Sequence, residues 1–213
     1  MSGIVTVVDY GIGNLYSVRR AIETSGAEVR LTADAALIAS ADRLVLPGVG
    51  AFADGMKGLH DRGLVQTIRE FAASGRPLLG ICLGMQMLAS FSEEFGSHEG
   101  LGIIPGRVVA VPALATSGER LKIPNIGWRS LQPASGADWS RTALATTAPG
   151  RSVYLVHSYH CVPEDPRHIL ACCDYGGHQI TAAIGTGRII GCQFHPEKSA
   201  AVGLEVLARF LGD

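Results

Sequence analysis

The chain has 213 residues, of which 47% are hydrophobic and 17% charged, and its formal net charge is -1. This length and apolar content suit one globular domain over residues 1–213 with a substantial core. The net charge is near zero and the lysines and arginines form no basic stripe, which argues against nucleic acid or a membrane surface as a partner. No apolar run reaches membrane-spanning length and the N-terminus lacks the pattern of a signal peptide, so we expect a cytoplasmic protein.

The N-terminal half alternates short apolar runs with segments of helical periodicity. Strands are predicted over residues 3–8, 28–31, 43–46 and 77–81, and helices from residue 15, over 52–73 with a break near Gly63, and over 83–91. Strands that alternate with helices form parallel sheets with right-handed crossovers. The fold class predicted is therefore α/β, a three-layer sandwich with a mostly parallel central sheet.

The C-terminal half loses this strict alternation. Residues 101–160 predict short antiparallel strands and loops, a small antiparallel addition at one side of the main sheet, and residues 153–159 predict one strand. Residues 169–173 and 179–184 predict a hairpin through Tyr175-Gly176-Gly177. A last strand over 188–194 precedes an amphipathic helix over 200–211.

Neither the cysteines as a group nor the first glycine-rich turn indicates a cofactor or a metal. The five cysteines are odd in number and lack framework spacing, which indicates reduced thiols. Adjacent Cys172 and Cys173 would point to opposite faces of a strand, so we interpret them as packing residues. The turn at Gly11-Ile12-Gly13 lacks the third glycine of a dinucleotide site and the lysine of a P-loop, and is interpreted as a tight turn.

Cys82 stands between two glycines where a predicted strand meets a predicted helix. The pattern Gly80-x-Cys82-x-Gly84 is typical of a nucleophile elbow, in which glycines let strand and helix approach while the nucleophile stays exposed and strained. A helix that begins just after the sulfur favours a thiolate through its free N–H groups and its dipole. Taken alone, the pattern fits a cysteine that only packs equally well.

A loop of glycines lies at the same predicted edge of the sheet. Residues 47–50, Pro-Gly-Val-Gly, follow the third strand, and the carboxyl ends of parallel strands share one edge with Cys82. This loop can supply the second backbone donor of an oxyanion hole at Val49, the first being the N–H of Leu83. An ordinary turn is the alternative interpretation.

His195 is the strongest candidate for the base among seven histidines. It directly follows an apolar strand, and Glu197 lies two residues on, so that in an extended backbone both side chains project to one side. A carboxylate there would fix the tautomer of the imidazole and stabilise the imidazolium. His157, at the end of another strand, is the competing base.

Two motifs resemble those of the class I glutamine amidotransferases, whose triad is Cys, His and Glu. They are Gly80-Ile81-Cys82-Leu83-Gly84-Met85-Gln86 and Gln193-Phe194-His195-Pro196-Glu197. Further segments are similar to one subfamily, the glutaminase subunits of imidazole glycerol phosphate synthases, over essentially the whole chain. These segments are residues 9–15, 47–50, 127–128, 157–159 and 195–199.

The resemblance implies a flavodoxin-like fold and glutamine hydrolysis without cofactor or metal. Cys82 would attack the side-chain amide of glutamine, His195 would act as general base and then acid, and Glu197 would orient His195. The other implied site residues are Gln86, Glu94, Ser158 and Tyr159 for glutamine, backbone N–H groups of Val49 and Leu83 for the oxyanion, and Asn14, Trp128 and Lys198 for the partner surface. The implied partner is a separate (β/α)8-barrel cyclase, bound as a heterodimer, which receives ammonia through a channel and makes imidazole glycerol phosphate and aminoimidazole carboxamide ribotide in histidine biosynthesis.

One segment departs from the pattern of the subfamily. Where the subfamily usually has Pro-His-x-Gly-Trp-Asn, residues 124–129 read Pro-Asn-Ile-Gly-Trp-Arg. This difference keeps open a paralogous glutaminase that supplies ammonia to another synthase, such as one that amidates surface sugars. A silent regulatory subunit and a thiol hydrolase of γ-glutamyl peptides are further alternatives, although an intact triad argues against silence. We also expect the loop at Val49 to turn into place only when a partner's ligand binds.

Overall fold

The computed structural model describes residues 3–212, and within that range an eight-stranded sheet lies between two layers of helices. Five neighbouring strands are parallel, and in sheet order they are Glu28–Thr32, Ile4–Val8, Leu44–Leu46, Leu78–Ile81 and Ile189–Cys192. Three antiparallel strands extend the sheet, namely His178–Thr186, Ile169–Tyr175 and Gln132–Pro133. The predicted α/β sandwich with a mostly parallel sheet and an antiparallel addition is confirmed.

Helices cover both faces of the sheet because its central strands are apolar on both faces. The α-helices are Leu15–Thr24, Ala35–Ala39, Phe52–Asp61, Leu64–Ala73, Leu83–Met87 and Ala200–Gly212, and two 3₁₀ helices are Pro166–His168 and Pro196–Lys198. Val45 packs in the same core as Val206, whereas its neighbour Leu44 packs in the opposite core with Phe71. Alternation of side chains along each strand thus divides the interior into two cores. In the described part of the chain, no helix is long and apolar enough to cross a membrane.

Two smaller sheets lie beside the central one. Asn125–Ser130 pairs with Ser152–His157 in a two-stranded antiparallel sheet. A four-stranded sheet has the order Tyr159–Pro163, Gly106–Ala110, Phe91–Ser92 and His98–Glu99. The short antiparallel strands predicted for residues 101–160 are present, and apart from Gln132–Pro133 they belong to these separate sheets. The single strand predicted over residues 153–159 is wrong, because Ser158 separates two strands that enter different sheets.

Two predicted helices have different outcomes. The break near Gly63 is confirmed, since this residue has a φ of 65° and separates Phe52–Asp61 from Leu64–Ala73. The helix predicted over residues 83–91 instead ends at Met87. Backbone N–H groups from residues 101, 103 and 104 donate to the carbonyls of residues 87 and 88. Because those carbonyls have partners from a distant loop, no further helical turn is needed to satisfy them.

Candidate active site

Cys82 forms a strained corner between the strand Leu78–Ile81 and the helix Leu83–Met87. Its φ of 53° and ψ of -108° lie in a region that side-chain-bearing residues rarely adopt. The corner is tight on both sides: a Cβ on Gly84 would lie 1.8 Å from the carbonyl oxygen of Leu46, and one on Gly80 would lie 2.8 Å from the backbone of Gly84. Glycine is therefore required at both flanks, as a nucleophile elbow demands.

His195 and Glu197 form a buried hydrogen-bonded pair beside this corner. The Nδ1 of His195 lies 2.8 Å from Oε1 of Glu197, and the two side chains are only 3% and 1% exposed. The sequence suggested an extended backbone, but Glu197 lies in the 3₁₀ turn Pro196–Lys198, and the contact is made across that turn. Burial lowers the pKa of His195, but hydrogen bonds to Cys82 and Glu197 outweigh it and raise this pKa to about 9. Since Nδ1 faces Glu197, Nε2 remains to exchange a proton with Cys82.

His157 lines the same cleft, but both of its ring nitrogens have other partners. Nδ1 lies 2.9 Å from the carbonyl oxygen of Tyr159, and Nε2 lies 3.1 Å from the side-chain nitrogen of Asn125. Burial is the main reason that the pKa of His157 falls to about 4, so the ring is neutral near pH 7. The geometry therefore favours His195 over His157 as the base.

A cleft of about 300 Å³ opens in front of the Cys82 sulfur. Its walls include every residue proposed for catalysis, oxyanion binding or glutamine binding except Glu197, which lies behind His195. These residues are Val49, Cys82, Leu83, Gln86, Glu94, Ser158, Tyr159 and His195. The structure thus brings together residues that are up to 146 positions apart, as the distance in sequence from Val49 to His195 (195 minus 49) shows.

The residues proposed for glutamine binding come from three different elements. Glu94 accepts a hydrogen bond of 2.6 Å from the backbone N–H of Phe52, at the start of the helix Phe52–Asp61. Gln86 is buried in the helix after Cys82, and its Nε2 donates at 3.0 Å to the carbonyl of Tyr159. Ser158 and Tyr159 lie where the chain passes from one small sheet to the other. A carboxylate, an amide and a hydroxyl therefore converge on one small space.

The loop of residues 47–50, proposed for the oxyanion hole and here called the oxyanion loop, has a defined orientation in this structure. The N–H of Leu83 donates to the carbonyl of Gly48 at 3.4 Å. In a trans peptide the C=O and the N–H point in opposite directions, so the N–H of Val49, in the same peptide unit, points away from Leu83. The loop is held at both ends, since Tyr10 Oη donates to the carbonyl of Pro47 at 2.7 Å and Phe52 is bound to Glu94. One expected donor is thus occupied and the other is turned away.

The residues proposed for the partner surface all reach the surface of the chain. Asn14 caps the helix Leu15–Thr24, and Lys198 is exposed. Trp128 is 51% exposed and packs edge-on against Tyr154, with ring centroids 6.1 Å apart. The backbone carbonyl of Tyr154 accepts a hydrogen bond of 3.1 Å from the backbone N–H of His195. Tyr154 therefore links the exposed ring of Trp128 to the backbone of the candidate base His195.

The two residues that depart from the subfamily pattern contact each other. Asn125 is fully buried, and its Oδ1 accepts a hydrogen bond of 3.1 Å from Nε of Arg129. The guanidinium of Arg129 also lies over the ring of Tyr175, 4.9 Å from its centroid. The two residues that differ from the subfamily pattern, Asn125 and Arg129, therefore form a hydrogen bond with each other.

The role of Gln193 was missed by sequence reasoning. This side chain is fully buried, and its Nε2 lies 3.7 Å from Sγ of Cys82. The available signal was its spacing: Gln193 precedes His195 by two residues, and in an extended backbone this spacing would place both side chains on one side.

The fold and the site define a class of protein, and comparison with known proteins agrees. Residues 6–212 match the family described as glutamine amidotransferase class-I, and the chain belongs to that family. The structure of PurLQS from Thermotoga maritima superposes with a TM-score of 0.69 over 100% of this chain and 99% of that one. The sequence identity is 17%, so this likeness concerns the fold alone.

Closer relatives are found at the level of sequence. The chain is 52% identical over 208 residues to imidazole glycerol phosphate synthase subunit HisH 1 of Legionella pneumophila, covering 97% of this chain and 98% of that protein. It is 48% identical over 210 residues to subunit HisH of Syntrophotalea carbinolica, with the same coverage of both chains.

Proposed function

We propose that the chain is the glutaminase subunit of an imidazole glycerol phosphate synthase and acts in histidine biosynthesis. Family membership and near-full-length similarity to proteins of that name support the assignment. The observation that carries the chemistry is Cys82 at a strained elbow with the buried pair of His195 and Glu197 beside it. A nucleophile, a base and an orienting carboxylate are the parts that acyl transfer from an amide requires.

The proposed reaction proceeds through a covalent thioester. The Cys82 thiolate attacks the side-chain carbonyl carbon of glutamine, and the C–N bond breaks as the His195 imidazolium gives its proton to the leaving nitrogen, which departs as ammonia. His195 then takes a proton from water, whose oxygen attacks the thioester and releases glutamate and the thiol. Glu197 keeps Nδ1 protonated throughout, so that Nε2 always handles the transferred proton.

The cleft has room for free glutamine, which is the substrate that we propose. A volume of about 300 Å³ suits a single small molecule. Glu94 offers a carboxylate to the α-amino group of the substrate, and Ser158 and Tyr159 offer hydrogen-bond donors. Gln86, whose Nε2 is already bound to protein acceptors, offers its carbonyl oxygen.

Rotation of the Gly48–Val49 peptide would complete the oxyanion hole. In the present orientation the carbonyl of Gly48 occupies the N–H of Leu83. A half-turn of this peptide removes that carbonyl and directs the N–H of Val49 toward the cleft, which supplies two donors for the tetrahedral oxyanion. We propose that a ligand on the partner shifts the loop to this second orientation, so the chain alone has low activity.

The proposed partner is a (β/α)8-barrel cyclase that forms a heterodimer with this chain and receives ammonia directly through a channel. The half-exposed Trp128 supports such an interface because tryptophan often anchors protein contacts. Ammonia delivered through protein stays unprotonated and nucleophilic.

The test is glutamate release from glutamine by the chain alone and mixed with a histidine-pathway cyclase subunit and its nucleotide ligand. We expect a large rise in the mixture, its loss in Cys82→Ala, and its retention in the matched control Cys172→Ala, which alters a cysteine outside the cleft. Activity that needs Cys82 but ignores the cyclase would assign the chain to a different synthase. No activity in any mixture would favour a silent regulatory subunit.

A further inference from the structure

A buried amide faces the reactive sulfur and takes no part in the proposed reaction. Gln193 is fully buried, its backbone N–H donates to the carbonyl of Ala182 at 2.9 Å, and its Nε2 lies 3.7 Å from Sγ of Cys82. A glutamine amide can present either its nitrogen or its oxygen to a neighbour. Which atom faces Cys82 decides whether Gln193 favours the thiolate or the thiol.

The neighbours of Gln193 fix this orientation. The carbonyl oxygen of Tyr159 can only accept hydrogen bonds, so the atom of Gln86 that lies 3.0 Å from it is Nε2. The same nitrogen lies 3.0 Å from the side chain of Gln193, and it must meet Oε1 there. Because its oxygen is bound to Gln86, Gln193 turns its nitrogen toward Cys82. A flipped Gln193 would place two N–H donors against each other.

A second set of hydrogen bonds, on the other side of Tyr159, fixes the other donor to the same carbonyl. The guanidinium of Arg129 can only donate, so it fixes Oδ1 of Asn125 as the acceptor and leaves Nδ2 to donate to Nε2 of His157. Nδ1 of His157 then carries the proton and donates to the carbonyl of Tyr159. This carbonyl therefore accepts from both His157 and Gln86, which uses both of its lone pairs. The hydrogen-bond network holds Gln86, and through it Gln193, in one orientation.

We propose that Gln193 stabilises the Cys82 thiolate by donating an N–H to its sulfur, with Gln86 and the carbonyl of Tyr159 setting the direction of the amide. An N–H donor stabilises an anion more than a neutral thiol, since a hydrogen bond to a charged atom is stronger. The inference rests on the proposed role of Cys82 as nucleophile. It adds a second donor to the hydrogen bond between His195 and the sulfur.

The experiment is the rate of alkylation of Cys82 by iodoacetamide between pH 5 and pH 10. The variant Gln193→Met removes the donor and keeps a side chain of similar length without adding charge. Gln179→Met, on an exposed glutamine of the strand His178–Thr186, is the matched control. All five cysteines are buried, but only Cys82 lines the cleft, and Cys82→Ala gives the background from the other four. Alkylation requires neither glutamine nor a partner, so this readout survives even if glutamate release is never observed.

We expect the pH midpoint of alkylation to rise by about one unit in Gln193→Met, as the loss of one hydrogen bond to a charged atom implies, and to stay unchanged in Gln179→Met. Other titratable groups around the sulfur are His195, which is hydrogen-bonded to it, Tyr10, which interacts with its charge, and His157 and Glu94, which line the same cleft; none of them is altered in any of the variants. A folded Gln193→Met protein with an unchanged midpoint would overturn the proposal, even if its thermal stability fell, because that result indicates a structural role alone.

A measurement on the unaltered protein covers the case in which Gln193→Met does not fold. With ¹⁵N-labelled glutamine side chains, we expect at least one amide resonance to shift with the same pH midpoint as alkylation. This titration should vanish in Cys82→Ala. If no glutamine amide follows the ionisation of Cys82, the proposal is wrong.

Discussion

Replacing Glu197 by glutamine removes the charge that faces His195 and leaves the shape of the side chain almost unchanged. The contact is 2.8 Å long between side chains that are 3% and 1% exposed, so solvent screens it little. A buried hydrogen bond between charged groups contributes about 1.5–3 kcal/mol. Its loss should lower the pKa of His195 by about one to two units and lower kcat by about 10- to 150-fold.

The assay is the pH profile of glutamate release, with the partner and its ligand present. In the unaltered protein His195 loses its proton near pH 9, so activity should fall on the alkaline side at about that pH. In Glu197→Gln this limb should move to lower pH, because the weaker acceptor no longer holds the imidazolium. Glu93→Gln is the control, since Glu93 is exposed and pairs with Arg107 at 3.4 Å. A folded Glu197→Gln protein with the alkaline limb still at pH 9 would refute the reasoning.

Three further predictions address the elbow, the coupling of charge to stability, and the partner surface. Gly84→Ala should lower the free energy of unfolding by more than about 4 kcal/mol in a denaturant titration, because the added Cβ would lie 1.8 Å from the carbonyl oxygen of Leu46. Gly3→Ala is the control and should be neutral, because a Cβ on Gly3 would have nothing within 4 Å. The pKa of His195 is raised above its ordinary value to about 9, so the contribution of this residue to stability is full below about pH 6.5 and is lost as the pH rises through 9. The free energy of unfolding should therefore fall by about 1–2 kcal/mol between pH 7 and pH 8.5. An equal fall in His195→Asn would contradict this prediction. Trp128→Ala should raise the Kd for the cyclase about 30-fold, measured by calorimetry, and should leave the thermal stability of the free chain unchanged. An unchanged Kd would show that Trp128 is not part of the interface.

Local patterns in the sequence predicted the five parallel strands and pointed to Cys82 as the candidate nucleophile, but they missed the helix Ala35–Ala39 and the break between strands at Ser158. Glycines at positions 80 and 84 signal the elbow because the tight corner leaves no room for side chains there. The spacing of His195 and Glu197 indicated a pair, but not the 3₁₀ turn through which they meet. The premature end of the helix at Met87 could not be predicted, because its last carbonyls are satisfied by a loop that begins 14 residues later (101 minus 87).

Orientation was harder to predict than position. The direction of the Gly48–Val49 peptide depends on a hydrogen bond to Leu83, and both directions of that peptide are compatible with the same sequence. The contact between Gln193 and Cys82 spans 111 positions and is fixed by a network through Gln86. Such long-range hydrogen bonds leave no periodic signal in a single sequence.

The oxyanion loop is anchored at both ends, and this limits the size of any conformational change that accompanies activation. Pro47 is held by Tyr10, and Phe52 is held by Glu94, so a change of orientation is confined to the few backbone dihedrals between them. The helix Phe52–Asp61 need not move, and the overall dimensions of the chain stay the same. Small-angle scattering should therefore report no difference between resting and activated states, while the amide resonance of Val49 should report a large one. Activation of this kind would be a change of hydrogen-bond direction without a change of shape.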